Sequence, residues 1–500
     1  MSIFKRFAFA YLLNLVSLFF TFLTGIYLAK SLGPNAYGSL AYIVALFGAI
    51  FYMLDMGTSN AFFTFASKEN KHSSFYRNYF VFLFSLLLLV VITFLILPKS
   101  FLGYLSLENN KIMLSVAIAA IFFRNHCWNI VRKIYDSQRL STNINITNLI
   151  ATVLYFILVT SLDNLFGLNL FLIFKIILIE FSLMCTLIFF IIPIQLNKDK
   201  NATASFKNYY KYCYPLAPML IFIGLVKLSE VWLLFFFGGA EQQAFFSISL
   251  QFTMILVLAL SSIINIFWKE IAEKIEQGSL KDAGNLYLKS AKYMTLFISM
   301  GSFFLFFQVD NIISLFLGNE YQMASLSMRL LFLYPLLQVF GQLNNVMFLA
   351  SEKTKTYSKF GFFHGLCSIS ISIVGLLVIS NYADTLISVS VFMASKLLLV
   401  DFIFMLIITK KIAQIFLIDN ILKSIFLVPI STFLTLFIFY MISEQTTLLL
   451  IGNLNPFVSI IINVLIFLIY TIFIFIKYPK FLFISKEDSL FLYKKLKFNN

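Results

Sequence analysis

The dominant pattern along the chain is a succession of apolar runs of about twenty residues, separated by short polar connections. Fourteen such runs can be drawn, over 9–30, 38–66, 79–97, 112–131, 144–162, 166–194, 212–237, 244–268, 293–316, 325–350, 358–380, 385–408, 424–442 and 456–476. A helix needs roughly 20 apolar residues to cross the hydrocarbon core of a bilayer, and each run supplies about that many. Polar and apolar positions do not alternate with period two, which argues against a transmembrane β-barrel. The pattern predicts an all-α polytopic membrane protein with about 14 transmembrane helices. The first run follows Lys5 and Arg6. It is too long for the apolar region of a signal peptide and lacks a small-residue cleavage site, so a retained first helix is expected.

Composition agrees with this class. The 500 residues are 60% hydrophobic and only 12% charged, more apolar surface than a soluble protein of this length could bury. Charge then sets orientation. Numbering the connections alternately, one set with both termini carries 29 Lys and Arg, the other carries 3 (Lys30, Lys99 and Lys111), and 5 lie within the runs. Basic residues concentrate on the cytoplasmic side, so both termini are expected there. The net charge of +15 is this bias plus a basic tail, 477–500, facing anionic inner-membrane lipid. It is not a nucleic-acid footprint. Cys127, Cys185, Cys213 and Cys367 have no metal or redox spacing and read as packing residues. The sequon Asn201-Ala-Thr203 falls in an expected cytoplasmic loop and is discounted.

Catalytic signatures are missing. The sequence has no P-loop, GxGxxG or HExxH, and its histidines are His72, His126 and His364. The longest connection on the side opposite the termini, near 308–324, is under twenty residues, too short for the extramembrane loop of a membrane glycosyltransferase. No enzyme, cofactor or metal site is expected, and a transporter is the default.

Two local matches indicate an internal repeat. LAKSLGPNAYGSLAYIVAL aligns with LLFFFGGAEQQAFFSISLQF, setting Gly33 against Gly239 and Gly38 against Ala244. IYDSQRLSTNINITN aligns with FLASEKTKTYSKFGF, setting Gln138-Arg139 against Glu352-Lys353. Offsets of 206 and 214 residues make the repeat six helices long. Six is even, so the halves run parallel and their two-fold axis lies along the membrane normal. The expected organisation is an N-terminal six-helix lobe (1–194), a cytoplasmic linker (195–211), a C-terminal six-helix lobe (212–408), an extra helix pair (409–476) and the tail.

The stretches YLAKSLGPNAYGSLAYIVALF, MLDMGTSNAF and LFLGNEYQMASLSMRLLFLYPLLQVFGQLNNVMFLASEKTK resemble polysaccharide exporters of the MATE-like (MOP) superfamily, most of all the O-antigen (Wzx-type) flippases. The resemblance spans nearly the whole chain on short, degenerate motifs. It implies movement of undecaprenyl-pyrophosphate-linked oligosaccharide from the inner to the outer leaflet of the bacterial inner membrane by alternating access, without ATP hydrolysis. A monomer is expected, in contact with polysaccharide polymerase machinery. Two rivals are a cation-coupled multidrug exporter of the same superfamily and a non-transporting envelope assembly protein. The exporter would be expected to carry an acid in its first helix, and none stands there.

The charged residues inside the runs that bear on function are Asp55, Arg124, Lys175, Glu180, Lys227, Glu230, Arg329, Lys396 and Asp401. Such residues face a wet cavity, pair with one another or snorkel. Lys227 and Glu230 are three apart on one helix face, so they either pair and help packing or line the inter-lobe cleft. Arg124 and Lys396 are further cleft candidates able to meet a phosphate. Asn14, Ser17, Thr21 and Thr24 form a polar stripe on the first helix, which reads either as helix–helix glue or as cleft lining. Asp55, followed by Thr58 and Ser59, is a candidate for ion coupling.

Overall fold

Gly33 interrupts the first long helix. In a computed structural model of the protein, α1 runs over Ile3–Asp55 and breaks where Gly33 takes φ 69° and ψ 172°. That region of backbone space belongs essentially to glycine. Pro34 follows at the start of the resumed helix, where its missing N–H costs nothing. Gly239 does the same in α9 (Ala217–Glu276), with φ 70° and ψ −174°.

The structure describes residues 3–66, 73–105, 110–137, 140–191, 213–214, 217–351, 353–381, 388–418, 426–438 and 462–467, with positions 107 and 440. Every described element is a helix. After α1 come α2 (Thr58–Ala66), α3 (Ser73–Ile96), α4 (Lys99–Tyr104) and α5 (Lys111–Ile121). A π-helical segment (Phe122–Cys127) leads straight into α6 (Trp128–Ser137), then α7 (Ser141–Phe166) and α8 (Leu170–Ile191). Beyond α9 lie α10 (Leu280–Phe307), α11 (Val309–Ile312), a second π segment (Ile313–Leu317) and a 3-10 turn (Asn319–Ala324). Then follow α12 (Ser325–Leu331), α13 (Tyr334–Ala350), α14 (Thr354–Asn381), α15 (Val389–Ile415) and the shorter α16 (Phe426–Ile438).

Among the described residues, nine helices are long and apolar enough to cross a membrane. Two of them, Leu12–Asp55 and Ala217–Leu258, each take in two expected runs joined through a bent glycine. The protein is a multi-pass membrane protein. The linker 195–211, the sequon within it, the tail 477–500, Gln138, Arg139, Glu352 and most of 441–476 lie outside the described residues.

Packing divides the chain into two compact units, one of Met1–Ser247 with Gly361–Ser390, the other of Ile248–Phe360 with Val391–Asn500. The first part of α9 and most of α14 pack with the N-terminal helices. In the first unit α1 packs along α7, and α5 along α8. The second unit is built on a buried apolar cluster that includes Leu260, Tyr287, Phe340, Met347 and Phe416. Within that unit, the Tyr287 hydroxyl donates to Asn344 Oδ1 at 2.7 Å and the Asn344 amide to Thr409 Oγ1 at 2.9 Å. Buried polar groups are tolerated in such a core when hydrogen-bonded in this way.

Two turns, at Leu140 and at Lys353, share local backbone. Leu140 N–H reaches back five residues to the Tyr135 carbonyl, and Asn143 and Ile144 both close onto Leu140. Lys353 N–H reaches the Phe348 carbonyl, and Thr356 and Tyr357 both close onto Lys353. The two patterns are the same at an offset of 213 residues, against 214 for the expected pairing of Gln138-Arg139 with Glu352-Lys353.

Candidate functional site

Two glycines bring α9 and α14 onto their neighbours in the first unit. A Cβ on Gly224 would stand 2.7 Å from Met53 Cβ, so α9 lies directly against α1 there. One on Gly365 would stand 2.7 Å from the Phe222 ring, so α14 lies against α9. Small residues permit such close helix approach in apolar surroundings. As a result Lys227, one turn beyond Gly224, sets its ammonium over the Tyr52 ring at 4.5 Å. Glu230, one turn further, accepts a hydrogen bond from the Ser368 hydroxyl of α14. The Glu230 charge also acts on Lys227. The two residues share a helix face as expected, yet each also reaches a different neighbouring helix.

One turn along α1 from Tyr52 stands Asp55. Its carboxylate accepts from Thr58 Oγ1 (2.9 Å), the Ser59 N–H (3.0 Å) and Ser59 Oγ (2.8 Å), capping α2. His126 Nε2 approaches it to 3.7 Å from the π segment. Lys133 on α6 donates to Ser59 Oγ at 3.0 Å and Asn60 Oδ1 at 3.1 Å. Tyr52, Asp55, His126, Lys133, Lys227 and Glu230 thus form a cluster of charged and polar side chains held by α1, α6, α9 and the π segment.

The other sequence candidates go elsewhere. Asn14 Oδ1 accepts from Arg132 at 3.1 Å, and Arg132 also reaches Asn145 at 3.3 Å. Thr21 is exposed and bonds the Ser17 carbonyl of its own helix at 2.9 Å. Ser17 and Thr24 are buried, so the stripe on α1 is shared between two surroundings. Arg124 lies over the rings of Tyr155 and Phe181, with centroids 5.2 and 5.9 Å away. Lys396 is 3% exposed and belongs to the second unit. Arg329, near a helix end, pairs with Asp310.

Sequence reasoning missed three participants. Tyr52 looked like one of many aromatic residues, and Arg132 and Lys133 were assigned to a polar connection because they are charged. The helix instead continues to Ser137, burying Ile130, Val131, Ile134 and Tyr135 on one side. That one-sided pattern in WNIVRKIYDS was the available signal.

No family model matches the chain, and no curated protein does. Solved structures do. The lipid II flippase MurJ, in an inward closed conformation, superposes with a TM-score of 0.69 over 93% of this chain and 98% of its own, at 18% identity. An inward-facing MATE-family multidrug-resistance transporter of the MOP superfamily gives 0.60 over 80% of this chain and 95% of its own, at 13% identity. The fold is that of the MOP-superfamily transporters. A third MOP transporter, from Pyrococcus furiosus and described as having a binding pocket of reverse polarity, gives 0.50 over 82% and 96%, at 13% identity. These neighbours carry the MOP fold with different cargoes, so cargo has to be argued from side chains.

Proposed function

We propose that the protein is a flippase that moves an undecaprenyl-pyrophosphate-linked oligosaccharide, of the O-antigen or a similar surface-polysaccharide type, from the inner to the outer leaflet of the bacterial inner membrane. Both termini are cytoplasmic, and two six-helix lobes alternate access to the substrate without ATP. The observation that carries this reading is the fold match to a lipid II flippase along nearly the whole chain.

The cluster around Lys227 supports it. An ammonium resting on an aromatic face is stabilised while its N–H groups stay available to a phosphate. Lys133 and Arg132 add positive charge to the same unit. Asn14, Thr21, Arg124 and Lys396 are further candidate contacts for the sugar or its phosphates. The substrate would come from the enzymes that assemble lipid-linked sugars and pass to a polysaccharide polymerase.

Leaflet transfer in proteoliposomes tests this. An undecaprenyl-pyrophosphate-linked sugar is exposed to an impermeant reagent, and protein-dependent exposure is the expected result. A cation-coupled multidrug exporter is the second reading, favoured by the acid at Asp55 with His126 beside it. Transport of a cationic dye against a proton gradient, with no sugar-lipid transfer, would establish the exporter instead.

A further inference from the structure

A second group of ionisable side chains lies within the bundle of α7, α8 and the first π segment. Glu180 on α8 is 6% exposed, and both its carboxylate oxygens are buried without a hydrogen-bond partner. The Tyr155 hydroxyl on α7 is buried beside both the Glu180 carboxylate and the Arg124 guanidinium. The cation acting on Glu180 is Arg124, whose guanidinium rests on the Tyr155 and Phe181 rings. Other charged groups on the helices packed around α8 are turned elsewhere. Lys175 lies over the Phe171 ring, Lys111 binds the carbonyls of Leu95 and Leu97, and Asp163 takes Tyr27 and Ser31. Arg132 and Lys133 are held as described above, with Asp136 beside Arg132.

A carboxylate ion buried with neither a hydrogen bond nor a contacting cation is far costlier than the neutral acid. A hard metal cation does not resolve this, since such ions gather six or more oxygen ligands and the guanidinium repels them. From this geometry we propose that Glu180 is a proton-binding site of the transport cycle. It is a neutral acid in the state described. It ionises when Arg124 leaves the aromatic faces and closes onto the carboxylate, one proton passing from the Glu180 carboxyl to water. Arg124 stands in the π segment, the kind of local helix irregularity often found at functional sites. The two positions of Arg124 give the bundle two arrangements that protonation selects between. This inference rests on the transporter reading for its role in a cycle, but not for the proton site itself.

The test is infrared difference spectroscopy of the purified protein in lipid, titrated with pH. The expected result is a neutral-carboxyl band at neutral pH that shifts in heavy water and is missing from Glu180→Gln. In Arg124→Gln the band should persist to more alkaline pH. No Glu180-dependent band at neutral pH would overturn the proposal, and so would a band that responds to replacing choline by sodium at fixed pH. In proteoliposomes, Glu180→Gln should flatten the pH dependence of transfer, and full pH dependence in that variant would overturn the coupling. Should Glu180→Gln fail to insert, Glu180→Asp carries the same titration, with the band expected to move. If the wild-type protein transfers no sugar-lipid, the flippase reading falls, and the infrared titration decides the proton site alone.

Discussion

Lys227 and Glu230 are spaced so that they could simply neutralise each other along one helix face. Tertiary contacts give each a further partner, Tyr52 for the lysine and Ser368 for the glutamate. The pair therefore differs in what substitution removes. Lys227→Ala deletes a charge that can donate to a phosphate, a contact contributing about 1.5–3 kcal/mol. Sugar-lipid transfer should fall by roughly tenfold or more. Glu230→Gln keeps an acceptor for Ser368 and should cost roughly threefold or less. Transfer rates measured beside membrane insertion of each variant check this, and equal wild-type rates would leave Lys227 a packing role only. Both residues stood out in the sequence because charge inside an apolar run is expensive. Tyr52 did not, because nothing in a chain with 63 Phe and 24 Tyr marks which ring meets a cation.

Among the helices, the paired breaks at Gly33 and Gly239 are the feature most nearly readable in advance. The local match that aligned these two glycines also predicted small residues five positions later, and the bends have the same backbone geometry. Their contact was not readable. Asn35 donates to Glu241 at 3.2 Å, and a Cβ on Gly38 would meet the Ala240 carbonyl oxygen at 1.8 Å. Side-chain relaxation cannot relieve a clash with backbone, so Gly38→Ala must push the two bends apart. With Asn35→Cys and Glu241→Cys in place, a short bifunctional thiol reagent should join the two positions efficiently. Adding Gly38→Ala should reduce that yield several-fold, and an unchanged yield would show that the contact yields elsewhere. The π segment at Phe122–Cys127 was invisible for a different reason. FFRNHC carries no residue that demands a π turn.

For the whole molecule, the distribution of basic residues is a statement about orientation that helix packing does not address. Reporter fusions active only in the cytoplasm should function at both ends of the chain, and those active only outside should fail at both. A fusion active outside at either end would reverse the assignment. Each compact unit combines segments distant in sequence: the start of α9 and most of α14 join the N-terminal helices. Contact depends on which helix faces become neighbours, not on order along the chain.

The sequence by itself determined the solvent, the helical class and the bias of basic residues, since each follows from sums over many residues. Twenty apolar positions need lipid whatever they touch, and their backbone groups must be satisfied within the helix. It also singled out the costly charges. Tertiary structure alone decided their partners: Lys227 with Tyr52, Asp55 with Ser59 and His126, and Glu180 with no hydrogen bond at all. Pairing between helices turns on approach distances of an ångström or two, set here by Gly224 and Gly365, and no period along the chain encodes which helix will stand opposite.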